Sequence, residues 1–369
     1  MLLGATGSGK TTLINRMINY ILGVKWEDKF RFKLVDENTG RSQAHSQTSD
    51  VTVYKLNHRE GFQIDYSLTI VDTPGFGNTR GIERDQMIVG QLENLFKAPL
   101  GVSNIHAICF VALASIARPT PTQRYVFDSV LSIFGKDVAD NIWILVTFAD
   151  GQLPPVLTAI NESGWPCPKR KDGLPVHFKF NNSTVFANNK VADSALDGDD
   201  DEDGEVNFDK MFWAMGTKSM KNFFAALNII ETQSLILTKE VLRQRGQLEN
   251  TIENLQKIKQ ESQILQTHKA TITANRMAIE PMKQMRVQSD VLQEEVLQLM
   301  KSSTQCLNRL KDIALKPNPL STLEYIDLLI QGEKSELKEG YLQRIQKLQE
   351  IRESEVTMEK VSRGVPLLE

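Results

Sequence analysis

The chain has 369 residues, of which 41% are hydrophobic and 24% charged, and carries a formal net charge of −3 at pH 7. That length leaves room for two structural units with cores large enough to fold unaided, and the near-neutral balance argues against a general nucleic-acid binder, which needs a basic field. Three scattered cysteines (Cys109, Cys167, Cys306) and five dispersed histidines (His45, His58, His106, His177, His268) indicate no disulfide framework, zinc site or metal cluster.

The first element is the short apolar run Met1-Leu2-Leu3, which leads into Gly4-Ala5-Thr6-Gly7-Ser8-Gly9-Lys10-Thr11, a full match to G-x-x-x-x-G-K-[ST]. In such a loop glycines let the backbone curl with its N–H groups turned inward onto a polyphosphate. Gly4, Thr6, Gly7, Ser8, Gly9, Lys10, Thr11 and Thr12 are therefore the candidate phosphate binders. Lys10 is expected to reach the β- and γ-phosphates, which also makes it a candidate catalytic residue, and the Thr11 hydroxyl to ligate Mg²⁺. Apolar residues at helical spacing follow through Leu22, so the phosphates would sit on a helix N-terminus. A buried strand of about five or six residues usually precedes such a loop. The chain looks clipped at its amino end, and a short central strand is expected to cost nucleotide affinity.

Next come a polar segment, 40–50, and a strand over 51–57. A second strand, 67–72, ends on Asp72 and runs into Thr73-Pro74-Gly75-Phe76-Gly77. Asp-Thr-Pro-Gly on its own is an ordinary turn. Downstream of a phosphate loop and at a strand end it reads as a γ-phosphate switch, in which Asp72 holds the metal through water and the Gly75 N–H bonds the γ-phosphate and releases it on hydrolysis.

Here the sequence resembles the septin and AIG1 (immunity-associated) branch of the P-loop GTPases, in the TRAFAC class. The resemblance is carried by the phosphate loop, by Asp72-Thr73-Pro74-Gly75-Phe76-Gly77 followed by Asn78-Thr79-Arg80-Gly81, and by Ser46-Gln47-Thr48 before a strand. It covers about residues 1–190 and implies GTP or GDP as ligand with Mg²⁺ as cofactor. It also implies a switch threonine that ligates the metal and contacts the γ-phosphate. Thr39, Thr48 and Thr52 are candidates, and Thr48 matches the family's S-x-T, making it a candidate metal ligand and catalytic residue beside Lys10 and Gly75. The base-reading motif departs from the family. Thr147-Phe148-Ala149-Asp150 keeps the carboxylate that accepts two hydrogen bonds from guanine but has Phe148 in place of lysine. Thr147 and Asp150 are the candidate base-side residues, and the aromatic Phe148 could cover the purine face. Phe76 stands where related enzymes carry a water-orienting glutamine, so slow hydrolysis is expected.

Further along, helices are expected at 84–97 and 121–134, the latter opened by Pro121 after Thr120. Strands are expected at 105–112, 142–148 and 183–187, with Phe186-Ala187-Asn188-Asn189 a candidate for the last base loop. Cys109 reads as a small core residue. Alternation of this kind yields an α/β fold, a mostly parallel sheet with helices on both faces and ligands at the carboxyl ends of its strands. Seven acidic residues between 197 and 205 make a solvated, disordered loop.

From Met211 onward glutamine, glutamate, lysine and leucine dominate. Met285, Leu292, Val296, Leu299, Cys306, Leu310 and Ile313 fall on a coiled-coil seam, as do Leu248, Ile252 and Leu255, with Arg245, Lys259 and Ser262 interrupting the latter. Pro281 and Pro317-Asn318-Pro319 would split this half into about three helices. A self-packed bundle and an intermolecular coiled coil stand side by side as readings. The expected organisation is a nucleotide-binding domain over 1–190, an acidic loop over 191–209 and an all-α region over 210–369. The expected function is a guanine-nucleotide switch, a slow GTPase, whose helical half mediates homodimerisation, larger self-assembly or a coiled-coil partner. The alternative is a nucleotide-binding scaffold with little or no hydrolysis. The longest apolar stretch, 105–117, falls short of the ~20 residues that span a bilayer, and no secretory signal precedes the phosphate loop. The expectation is cytoplasmic, with membrane association open.

Overall fold

The computed structural model describes residues 1–35, 50–77, 82–186, 208–274, 279–317, 322–336, 340–363 and 365. They form two compact units, Met1–Val130 with Asp137–Ile236, and Leu131–Lys136 with Leu237–Glu369.

The first unit is built on a six-stranded sheet of β1 (Leu2–Gly4), β2 (Thr52–Leu56), β3 (Leu68–Asp72), β5 (Ile108–Leu113), β6 (Ile142–Thr147) and β7 (His177–Lys179), in the order β2-β3-β1-β5-β6-β7. Every pairing is parallel except that of β2 with β3. Strands β5 and β6 read as continuous apolar runs because both faces are covered. A two-stranded ribbon pairs β4 (Asn104–Ile105) with β8 (Gln233–Ser234).

The helices of this unit are α1 (Lys10–Ile21), α2 (Ile82–Lys97), α3 (Pro121–Ser132, which runs on into the second unit), α4 (Pro155–Glu162) and α5 (Phe208–Ile229). α1 turns Leu13, Ile14, Met17, Ile18 and Ile21 onto one sheet face, where Leu2, Ile70, Cys109, Trp143, Leu145 and Phe178 meet them. Each such side chain contributes roughly 1.5–3 kcal/mol on burial. α5 completes that core with Met220, Phe223 and Phe224, and Phe223 stands edge-on to Trp143 at 5.8 Å and to Phe178 at 5.3 Å. The composition shift at Met211 assigns this helix to the helical half, whereas its aromatic face packs inside the first unit.

The last strand is β7, and the stretch expected as a strand at 183–187 instead forms a short 3₁₀ turn, Ser183–Phe186. The cause is local. The Asn181 side-chain carbonyl accepts bonds from the Ser183 N–H at 3.2 Å and from its hydroxyl at 2.7 Å, which bends the chain before a ladder can start.

β1 pairs unequally with its two neighbours. Leu2, Leu3 and Gly4 all register with β5, but only Leu2 registers with β3, opposite Asp72. Beside the unpaired length of β3 lies a cavity of about 660 Å³, lined among others by Ser67, Thr69, Val71, Asn104, His106 and Phe224.

The second unit contains α6 (Ile236–Ala274), α7 (Ile279–Ile313), α8 (Thr322–Glu336) and α9 (Tyr341–Ser362). Leu248, Ile252 and Leu255 of α6 pack against Val296, Cys306, Leu310 and Ile313 of α7 and Val361 of α9, with Leu292 and Leu299 at the margin. The seam is thus satisfied within the chain, as the self-packed reading has it, while Met285 lies apart from this cluster and only half-buried. α6 ends at Ala274 and α7 begins at Ile279, so the helices divide beside Pro281 as expected, and the proline sits in the first turn of α7, where its missing N–H removes no bond. Arg245 is half-buried and clasps backbone, donating to the Ser132 carbonyl at 2.7 Å and the Lys316 carbonyl at 2.5 Å. Burial holds its guanidinium down at about 10. No helix among the described residues is long and apolar enough to cross a membrane.

Candidate functional site

The phosphate loop runs from the end of β1 into α1, with Gly9 at the helix entry in the left-handed conformation, φ 84°. The N–H groups of the first helical turn have no intrahelical acceptor and face out of the helix end. Lys10 is buried in this turn, and its ammonium donates to the carbonyls of Gly4 at 3.1 Å and Ala5 at 3.0 Å. Thr11 and Thr12 follow it, both half-buried, while Gly7 is exposed at the crown of the loop.

Asp72, at the carboxyl end of β3, is fully buried, and neither carboxylate oxygen makes a well-formed hydrogen bond among the described residues. Burial pushes its carboxyl up to about 6, opposed by the nearby Lys10 ammonium. Burial likewise lowers Lys10 to about 8, with Asp72 working against that shift. The Ser8 hydroxyl is buried and likewise without a partner among the described residues. An oxygen-preferring divalent cation suits this donor set, since a bare buried carboxylate is costly until something neutralises it. Among the described residues no cluster of three or more His, Cys, Asp and Glu side chains offers a rival metal site.

The Asp-Thr-Pro-Gly segment is laced directly to the phosphate loop. The Thr6 N–H donates to Phe76 O at 3.0 Å, and the Phe76 N–H to Gly4 O at 3.1 Å. The Thr6 hydroxyl reaches Gly75 O at 3.1 Å, and the Thr73 hydroxyl reaches Leu2 O at 2.8 Å. Gly75 has to be glycine here, because a Cβ at that position would lie 2.4 Å from Thr6 Cα. Phe76 is fully buried. Asp85, on α2, accepts the Gly77 N–H at 3.1 and 3.2 Å on its two oxygens. Burial raises its carboxyl to about 6, and the Gly77 bond holds it back. Sequence reasoning missed Asp85, although an acidic residue in the first turn of a helix after a Gly-rich segment is a recognisable signal.

On the base side the expected residues divide into support and surface. The Thr147 hydroxyl is buried and donates to Ser8 O at 2.7 Å, tying the end of β6 to the phosphate loop. Phe148 is the one non-glycine described residue with positive φ, 53°. The residue is 60% exposed, with ring atom Cε2 3.5 Å from where a Cβ on Gly9 would stand. An aromatic held in that strained conformation presents a face beside the loop. Asp150 is exposed, and its Oδ1 accepts the Gln152 N–H at 3.0 Å. Of the candidate last base loop, Phe186 is described and exposed, while 187–189 lie outside the described residues.

Residues 32–35 are anchored by polar residues of α1 that were not singled out from the sequence. Asn15 accepts the N–H groups of Leu34 and Val35 at 2.8 and 3.0 Å and donates to Val35 O at 2.9 Å. Asn19 does the same for Phe32, at 2.9 Å to its N–H and 2.8 Å to its carbonyl. Buried Arg16 donates to Trp213 O and Thr217 Oγ1 and lies 3.6 Å over the Trp213 ring. Thr39 and Thr48, the latter expected at the metal, lie outside the described residues. Thr52 is on β2, registered opposite Asp72, with its hydroxyl on Asp50 O at 3.3 Å.

A family model described as "Septin" matches residues 1–97. No significant match is found among curated proteins. Among solved structures the chain is similar to Toc33 from Arabidopsis thaliana in complex with GDP and Mg²⁺, at 14% identity and TM-score 0.36, covering 63% of this chain and 84% of that one. The same plant protein in complex with Mg²⁺ and GMPPNP matches at 15% identity and TM-score 0.34, covering 63% of this chain and 85% of that one. These structural likenesses are distant. The family match spans the phosphate loop, Asp72 and the lacing between them, and over those residues the chain is similar to the septins.

Proposed function

We propose that this protein is a guanine-nucleotide switch that binds Mg²⁺ and GTP or GDP at the loop of residues 4–11, hydrolyses GTP slowly, and uses its nucleotide state to control self-association or partner binding through its helical half. The observation that carries this reading is the buried, unpartnered Asp72 carboxylate next to the Lys10 ammonium. Lys10 would exchange two carbonyl acceptors for phosphate oxygens. Thr11 and Asp72 would hold Mg²⁺, Asp72 through water, with Thr48 the third candidate. When bound, the ion supplies charge neutralisation across the β- and γ-phosphates. The Gly75 segment, laced to Thr6, would register whether the terminal phosphoryl group is present. Asp150 offers two acceptors that match the guanine N1–H and N2 amino group, and Phe148 offers a stacking face.

One observation favours the scaffold reading. Phe76, where a water-orienting glutamine would stand, is an apolar side chain sealed in the core, so nothing at that position can orient an attacking water. Two measurements decide between the readings. Protein purified with its ligand is denatured and the released nucleotide identified; finding ATP or ADP would overturn the guanine assignment. Single-turnover phosphate release is then compared with a Lys10→Ala control, and a rate no higher than that control establishes the scaffold. Dimerisation is read by light scattering with and without a non-hydrolysable GTP analogue, and an unchanged monomer mass in both counts against nucleotide-driven pairing.

A further inference from the structure

We propose that Lys179, assisted by Asn181, is the positioning residue that aims the Asp150 carboxylate, taking over a stabilising task at a base-side loop that lacks its own lysine. The inference rests on the guanine reading above and deepens it.

The segment from Phe148 to Gln152 has little of its own to hold it. It leaves β6 through a strained Phe148 and turns through Gly151 at φ 94°. Its backbone is pinned instead from the end of β7. The Ala149 N–H donates to Phe180 O at 3.0 Å, and the Asn181 side-chain amide donates to Ala149 O at 3.3 Å. The Lys179 ammonium donates to Gly151 O at 2.9 Å and to Gln152 O at 3.1 Å. Backbone groups on both sides of Asp150, one N–H and three carbonyls, are therefore tied to three consecutive residues, Lys179 to Asn181, with the carboxylate left exposed between them. The Gln152 N–H on Asp150 Oδ1 fixes the side-chain rotation.

Aim matters because one exposed carboxylate is asked to discriminate. Two parallel hydrogen bonds to a base form only within a few tenths of an ångström of their preferred length. A loop free to swing would lose the second bond first, and with it the preference for a base that carries a 2-amino group. Charge-assisted bonds from an ammonium to two successive carbonyls are the strongest tether in this loop.

The test titrates GDP and IDP, whose hypoxanthine base lacks the 2-amino group, into the full chain by calorimetry. The proteins compared are the wild type, Lys179→Ala, Lys179→Arg, Asp150→Ala and the double variant. Lys179→Ala is expected to weaken GDP about tenfold and IDP by clearly less, shrinking the GDP/IDP ratio toward that of Asp150→Ala, as loss of two charge-assisted bonds implies. Lys179→Arg, which keeps donors on the same carbonyls, is expected to restore most of the ratio. With Asp150 already removed, Lys179→Ala is expected to change GDP affinity less than about twofold, the non-additivity of a residue acting through another. An unchanged GDP/IDP ratio in Lys179→Ala overturns the inference and leaves the guanine reading standing, as does the same loss with and without Asp150. A wild type that binds GDP no better than IDP overturns both.

Discussion

Replacing Asp72 with asparagine should make the nucleotide-free protein more stable while destroying its function. The carboxylate is sealed in the first unit with no well-formed hydrogen bond to either oxygen among the described residues, and its carboxyl is raised from 3.8 to about 6. That displacement corresponds to about 3 kcal/mol at roughly 1.36 kcal/mol per pH unit. The sign follows from the direction. A carboxyl harder to ionise in the folded state destabilises the fold whenever it is ionised, so the penalty is absent below pH 3.8, grows between 3.8 and about 6, and is full above that. Its value at pH 5 is about half the maximum. The neutral isostere escapes it at every pH. Thermal unfolding of the full chain in a chelator, without nucleotide, should show Asp72→Asn melting above the wild type at pH 8, by roughly 6–10 °C for a unit of this size. The gap should narrow steadily as the pH falls to 5 and vanish near 4. In parallel, Mg²⁺-dependent nucleotide binding should be lost. An Asp72→Asn protein no more stable than the wild type at pH 8, or a gain independent of pH, would refute the reasoning that this carboxylate is kept at a cost for a ligand.

Three further changes probe the supports of the site. Thr147→Val removes the hydroxyl on Ser8 O and should cost about 1–3 kcal/mol for the carbonyl left buried, read by chemical denaturation, with a weaker nucleotide titration alongside. Gly75→Ala places a methyl group against the Thr6 backbone and should destabilise by about 1–3 kcal/mol through overpacking; a melting temperature equal to the wild type would show that the lacing yields freely. Trp213→Ala uncovers the Arg16 guanidinium and empties a large site, for which about 3–5 kcal/mol is expected. Circular dichroism melts measure it, and a loss below 1 kcal/mol would mean that α5 is held by its Phe223 and Phe224 face alone.

What the sequence made legible was whatever chemistry fixes by local spacing. The phosphate loop and the Asp72-Thr73-Pro74-Gly75 segment announce themselves because a polyphosphate demands particular residue types at fixed intervals, and both lie at the strand ends where they were expected. The helical seam was visible for the same reason, since its period is local. What remained hidden depends on partners far along the chain. Arg16 and Trp213 are 197 positions apart, and nothing at either position forecasts the other. Asp85 and the Asn15–Asn19 pair read as ordinary polar helix residues until the segments they hold are seen. The missed strand β7 has only three residues, two positions beyond Pro175, too short for alternation to register. At 183–187 the β-branched run suggested a strand, and an asparagine side chain two residues upstream decided otherwise. The switch threonine Thr48 lies outside the described residues.

The lopsided pairing of β1 concentrates the joint between Lys10 and Asp72 into very few fasteners. On the β5 flank the loop-bearing strand is knitted along its whole length, but toward β3 it is attached by the Leu2 register, the Thr73 hydroxyl, the Thr6 hydroxyl on Gly75 O and the two bonds between Thr6 or Gly4 and Phe76. Such a line of weakness lets two plies of a sheet part without the rest unravelling. The half of the pocket that carries the lysine and the half that carries the aspartate can thus separate on a shorter timescale than the domain unfolds, and amides at Thr6 and Phe76 would exchange with solvent ahead of those along β5 and β6. A bound ligand gripping both halves would act as a rivet, so that occupancy governs the mechanical integrity of the sheet itself.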